Sequence, residues 1–133
     1  LAPGIVCRDL PKTLLCRADL DKLKSVIRNI LANALKYSDN QELPVEVTLT
    51  DQKPFGLICI KDYGIGIPAE ELPFIFEPFY RVDKSRSRQT GGFGLGLSIC
   101  KTIMDAHGGK IEIASSPDSG TVVSLYIPLI PSS

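Results

Sequence analysis

The sequence carries no excess of charge of either sign: Lys plus Arg number 15, Asp plus Glu number 15, and the formal net charge is zero. Duplex-binding proteins draw affinity from a surplus of cations that neutralises phosphates, so nucleic acid is not an expected partner. No apolar run approaches the roughly 20 residues that span a bilayer, and no secretory leader opens the chain. There is no Cys-x-x-Cys pair, and a single histidine accompanies the 4 cysteines, which removes the usual zinc spacings. Cys7, Cys16, Cys59 and Cys100 are scattered and read as small buried hydrophobes in a reducing compartment. Internal repeats and low-complexity tracts are missing. So is an initiator Met, and the chain reads as a piece of a longer parent that can itself carry a membrane span.

What is present is ordinary globular material. The 133 residues, 44% hydrophobic and 23% charged, suit one domain over residues 1–133 with a single core and are too apolar for disorder. Residues 5–8 and 13–17 read as short strands around a turn at 9–12. Asp19 reads as an N-cap. From there Leu20, Leu23, Val26, Ile27, Ile30, Leu31, Ala34 and Leu35 recur at helical spacing and predict a helix over 20–37. Residues 45–50 alternate as a half-buried strand, and 54–56 turn into a second strand over 57–61, an antiparallel hairpin. Short helical pieces are expected around 70–76. The polar, basic, Ser- and Gly-rich stretch 82–93 reads as a mobile loop. A second helix over 95–107 closes at Gly108-Gly109, and strands at 110–115 and 121–128 flank a turn at 117–120. Hairpin strands grouped with a few helices predict an α+β two-layer sandwich, a mixed, mostly antiparallel sheet with helices on one face.

Four elements carry chemistry. On the first helix Asn29 and Asn33 are one turn apart, Lys36 falls on the same face, and Tyr37 lies beside it. This stripe borders the apolar one, so it sits at the rim of the core. Amide oxygens there suit a hard cation such as magnesium, Lys36 suits phosphate and Tyr37 suits a flat base; the plainer reading is an amphipathic helix with Asn at its solvent edge. Asp62, Gly64, Gly66 and Ile67 follow a buried strand. The Asp can accept a hydrogen bond from an exocyclic amine, and the glycines let backbone approach a ring; the plainer reading is an ordinary turn. The third glycine and later acidic residue of a dinucleotide fingerprint are missing. Gly91-Gly92-Phe93-Gly94-Leu95-Gly96-Leu97 runs into a helix, where N–H groups bind anions. It lacks the Gly-Lys-Ser/Thr close of a Walker loop, and glycine-rich loops also serve flexibility alone. Between the last two, aromatic Phe74, Phe76, Phe79 and Tyr80 can anchor a loop base. The cations Arg81, Lys84, Arg86 and Arg88 can reach a polyphosphate, although Arg86 and Arg88 read more simply as solvated.

In this order and spacing the elements resemble the histidine-kinase branch of the ATPases that share a Bergerat-type nucleotide fold. Asn29 to Asn33 with Lys36-Tyr37 resembles the N box, Asp62 to Gly66 the first glycine box, and residues 74–81 the F box. Gly92 to Gly96 resembles the second glycine box and Gly120-Thr121 a terminal one. The resemblance covers residues 5–128. It implies ATP and Mg2+ beneath a lid formed by 82–93. Asn33 would be the principal metal ligand with Asn29 assisting, and Lys36 and Arg81 would lie on phosphates with a catalytic part shared by Asn29. Tyr37 would flank the adenine and Asp62 would take its amino group, with Gly64, Gly66, Ile67, Gly92, Gly94, Leu95, Gly96, Leu97 and Thr121 completing the pocket. It also implies γ-phosphoryl transfer to a histidine on a separate dimerisation domain, a response regulator as partner, a homodimeric parent, and a cytoplasmic domain of a membrane sensor.

Two departures stand out. His107, the sole histidine, precedes two glycines at a helix end and reads as a residue favoured there by the helix dipole, not as the phosphoacceptor. The family's domain also opens with a helix for which Leu1-Ala2-Pro3-Gly4 is too short, so the helical layer is expected to be incomplete. Three other readings remain. The first is an anti-sigma-factor-type serine kinase, against which the segment 74–81 speaks. The second is a non-catalytic nucleotide-binding regulator. The third is a gyrase- or chaperone-type ATPase, which would want a carboxylate where Asn29 stands, because an amide is a poor general base.

Overall fold

The computed structural model describes residues 5–8, 14–37, 43–78, 80, 96–116 and 120–130. Strand β1 (Ile5–Arg8) leads to helix α1 (Leu20–Tyr37), strands β2 (Val45–Gln52) and β3 (Phe55–Asp62), a 3₁₀ turn at Leu72–Phe74, helix α2 (Gly96–Ala106), and strands β4 (Lys110–Ser116) and β5 (Gly120–Pro128). The five strands form one sheet in the order β1-β2-β3-β5-β4. β1 runs parallel to β2 and every other pairing is antiparallel. This is the expected α+β sandwich.

Helix α1 starts where Asp19 accepts a hydrogen bond from the Lys22 N–H on its Oδ1 at 3.2 Å, while its carbonyl accepts the Leu23 N–H at 2.9 Å. An N-cap satisfies donors that the first turn cannot. Val26, Ile30 and Ala34, successive turns of one face, are buried. They share a core with Val45, Ile60, Cys100, Met104, Ile111, Val123, Leu125 and Ile127, so two helices and four strands converge on one apolar layer. Each large side chain fully buried there contributes roughly 1.5–3 kcal/mol. Strand alternation sends Glu46, Thr48, Lys61, Glu112, Ser124 and Tyr126 to the other face. There Lys61 Nζ lies 4.8 Å from the Tyr63 ring centroid and Lys110 Nζ lies 4.5 Å from that of Tyr126.

Several expectations are redrawn. Instead of a strand over 13–17, Cys16 makes a single antiparallel bridge to Leu129, because β1 takes its ladder from β2. The hairpin turn is only Lys53-Pro54, with Gln52 opposite Phe55, so Phe55 and Gly56 join the strand and Asp62 is its last residue. Cys100 is buried and held by the surrounding apolar layer, which pushes its thiol up to about 11. Cys59 is half-buried on the far face, 3.7 Å from Ser124 Oγ, since alternation inside an apolar run sends every second residue away from the helices. His107 lies just past α2. Its Nδ1 hydrogen-bonds the Ile103 carbonyl at 2.8 Å and its Nε2 accepts the Asp19 N–H at 2.9 Å. It therefore ties the end of α2 to the start of α1. Gly108, at φ 74°, closes the helix, and the Gly109 N–H reaches the Met104 carbonyl at 3.0 Å, as the two glycines foretold.

Among the described residues no helix is long and apolar enough to cross a membrane, and no group of three or more His, Cys, Asp or Glu is placed to hold a metal.

Candidate functional site

Asp62 sits at the end of β3 facing the helices. It is 7% exposed and is the only buried charged residue among those described. Register explains its neighbours: Asp62 lies opposite Thr121 on β5, and Thr121 lies opposite Ser115 on β4. Side chains paired across antiparallel strands share a face, so Asp62, Thr121 and Ser115 form a row across three strands. The Asp62 carboxylate accepts the Gly64 N–H at 2.9 Å and the Thr121 backbone N–H. Burial raises its pKa above the usual carboxylate range, and these two backbone donors act against that rise. The charge is thus met by fixed dipoles while the remaining lone pairs stay available.

The loop after Asp62 is fastened on both sides. Tyr63 donates its hydroxyl to Glu46 Oε1 at 3.0 Å. Gly64 is buried, Gly66 has φ 73°, and the Ile67 N–H donates to Ser115 Oγ at 2.7 Å. Ser115 Oγ also donates to the Gly120 carbonyl at 2.9 Å and lies 2.8 Å from Thr121 Oγ1. Gly120 has φ 85°, and a Cβ there would collide with the Asp62 carbonyl, so strand β5 can approach this corner only without a side chain. Four residues expected at the site, Asp62, Gly64, Ile67 and Thr121, are therefore joined in one hydrogen-bonded corner. Ser115 joins them too. Sequence reading missed it because it looked like one more strand residue; its position one short turn before Gly120-Thr121 was the available signal.

The second group lies where α1 crosses the start of α2. Asn29 Nδ2 donates to the Ser25 carbonyl at 3.1 Å. That bond fixes the amide so that Oδ1 faces Gly96, 3.8 Å from where a Cβ on that glycine would lie. Asn33 is half-buried one turn further on, and Leu97 is half-buried beside Gly96. The backbone of Lys36 and Tyr37 belongs to the last turn of α1. Helix α1 packs on both β3 and α2, which sets the two groups on the same side of the sheet. An amide oxygen aimed across at the head of a helix fits a hard cation shared with an anion, since magnesium takes oxygen ligands and phosphates complete its shell. In the segment after the loop, the Phe74 and Tyr80 rings lie 5.8 Å apart and Tyr80 donates to Glu71 Oε1 at 2.9 Å. Arg81, Gly92, Gly94, Leu95 and the segment 82–93, expected to form a lid, lie outside the described residues.

A buried carboxylate at a strand end, amides on a crossing helix and a glycine at the head of a second helix lie on the side of the sheet that the helices cover. The profile of the histidine kinase-, DNA gyrase B- and HSP90-like ATPases matches residues 18–131, and the chain belongs to that family. Among its relatives it is 43% identical over 114 residues to the sensor histidine kinase YkoH of Bacillus subtilis, covering 86% of this chain and 24% of that protein. It is 43% identical over 124 residues to the sensor protein kinase WalK of Staphylococcus aureus, covering 91% and 30%. Among solved structures, the mycobacterial sensor histidine kinase MprB superposes with a TM-score of 0.81 at 28% identity, over 97% of this chain and 83% of that one. The catalytic domain of histidine kinase ThkA gives 0.78 at 30% identity, over 96% and 81%. The chain thus spans less than a third of the curated relatives it matches and most of the solved catalytic domains. The fold is that of a histidine-kinase catalytic domain, and its family character is ATP binding.

Proposed function

We propose that the chain binds ATP with Mg2+ between the Asp62 corner and the α1–α2 crossing, and passes the γ-phosphoryl to a histidine on a separate dimerisation domain of its parent. The observation that carries the reading is Asp62, a buried carboxylate held by the backbone of Gly64 and Thr121. Burying an ionisable group at a strand end costs stability, and a ligand amine that needs an acceptor there gives the cost a purpose. Gly64, Gly66 and Ile67 form the loop on which a purine edge would rest, and Tyr37 would cover one ring face. Asn33 and Asn29 would hold magnesium through their amide oxygens. When bound, the ion would draw charge from the phosphate oxygens and fix their geometry. Lys36 and Arg81 would neutralise the phosphates, and the backbone around Gly92, Gly94, Leu95, Gly96 and Leu97 would offer N–H donors to them.

In the transfer, the lone pair of the acceptor imidazole nitrogen forms a bond to the γ-phosphorus as the bond to the bridging oxygen breaks, and ADP leaves with that electron pair. The chain contributes positioning and charge neutralisation. Asn29 stands where a hydrolase would want a general base; an amide does not activate water, which favours transfer over hydrolysis. The same reading supplies a response regulator as the next acceptor and a homodimeric membrane sensor as the parent.

Calorimetric titration of the chain with Mg-ADP tests the site. Asp62→Ala and Asn33→Ala are each expected to weaken binding tenfold or more, in line with about 1.4 kcal/mol or more for a lost buried contact. Undiminished binding in both variants would sink the assignment.

A further inference from the structure

We propose that Ser115 is a positioning residue for base selection: it fixes the direction of the Thr121 hydroxyl proton, so that the corner beside Asp62 presents acceptors only. The inference rests on the adenine-nucleotide reading above and deepens it.

A serine hydroxyl has one proton to donate and two lone pairs to accept with. Ser115 Oγ spends its proton on the Gly120 carbonyl at 2.9 Å, and one lone pair receives the Ile67 N–H at 2.7 Å. The third contact, to Thr121 Oγ1 at 2.8 Å, must therefore use the remaining lone pair of Ser115. Thr121 is the donor in that pair, and its proton is spent as well. What Thr121 has left for a ligand is acceptor capacity. The neighbour across the ladder is Asp62, which as a carboxylate is also acceptor-only. Both side chains of the row that flank the end of β3 thus ask for a donor.

That polarity distinguishes bases. The C6 position of adenine carries an amine, a donor; the same position of hypoxanthine or guanine carries a carbonyl, an acceptor. A site whose buried polar groups match one pattern rejects the other strongly, because mismatched groups are left unpaired. An unconstrained Thr121 hydroxyl could rotate and donate to a carbonyl, which would soften the rejection. Ser115 prevents the rotation by consuming the proton. The Ile67 N–H gives the arrangement a second effect. It ties the ring-supporting loop to the same oxygen, so loop position and hydroxyl direction are set together.

The test is titration of the chain with Mg-ADP and with Mg-IDP, whose bases differ in the C6 group and its ring proton. The wild type is expected to prefer ADP. In Ser115→Ala the ADP-to-IDP affinity ratio is expected to fall about tenfold, near one hydrogen bond's worth of discrimination. Ser115→Thr, which keeps the hydroxyl, is expected to retain the ratio. A role in folding alone would weaken both nucleotides together, and an unchanged ratio in a folded Ser115→Ala protein would overturn the proposal. Should that variant not fold, Thr121→Val decides: it removes the acceptor with Ser115 in place, and a retained ratio there overturns the proposal equally. A wild type that binds neither nucleotide, or does not distinguish them, would instead overturn the adenine reading and this inference with it.

Discussion

At the scale of single residues, the informative feature is a cost. Asp62 is buried and its pKa is raised by desolvation in spite of two backbone donors. For a group whose folded pKa exceeds its unfolded one, stability is highest where both states are protonated. It falls as pH rises from about 4 through the folded value, because only the unfolded chain ionises freely. Above the folded value the native state carries the full penalty. Asp62→Asn removes the ionisation and is expected to be more stable than wild type to urea at pH 7, with the difference closing below about pH 4. It is also expected to bind ADP poorly. A variant less stable than wild type at pH 7 would show that the carboxylate is retained for the fold. Asp62 was legible in the sequence because an acidic residue ending an apolar strand before two glycines is conspicuous. Ser115 was not. Its role is created by register, which brings residues 62, 121 and 115 into one row, and register is a property of paired strands that a single strand's sequence does not reveal.

At the scale of elements, α1 was read to the residue from its apolar spacing and cap, and the described part of α2, Gly96–Ala106, falls inside the helix expected over 95–107. Periodicity over several turns is a strong signal. The short segment 13–17 has too few residues for one, and its partner, Leu129, is supplied from the far end of the chain. The contact between the helices was also invisible. His107 links them through both ring nitrogens, accepting from the Asp19 N–H and bonding the Ile103 carbonyl. His107→Ala removes both contacts, and the expected loss is about 1–2 kcal/mol in urea denaturation. Because α1 carries Asn29 and Asn33 while α2 begins at Gly96, loosening the opposite ends of the helices is expected to weaken Mg-ADP binding as well. Unchanged stability would reduce the histidine to a surface residue.

At the scale of the whole molecule, fold class was legible because helices and hairpin strands cluster along the chain, while strand order was not. Nothing in β5 alone says that it lies between β3 and β4. The proposed activity belongs to this scale too, since the acceptor is expected on another domain. Mixing the chain with its parent's helical histidine domain and ATP is expected to give a phosphoramidate, labile in acid and stable in base; an acid-stable product would support a serine kinase. The placement of β5 also bears on how the protein is made. Residues 62 and 121 must meet across the intervening chain, an entropic toll that makes such pairings slow. On the ribosome, β3 and β4 emerge first, and each waits with a bare edge until Gly120–Pro128 clears the exit tunnel. A nascent chain stalled short of that point would leave one edge of β3 bare and β4 without any ladder partner, the form most prone to capture a neighbouring polypeptide.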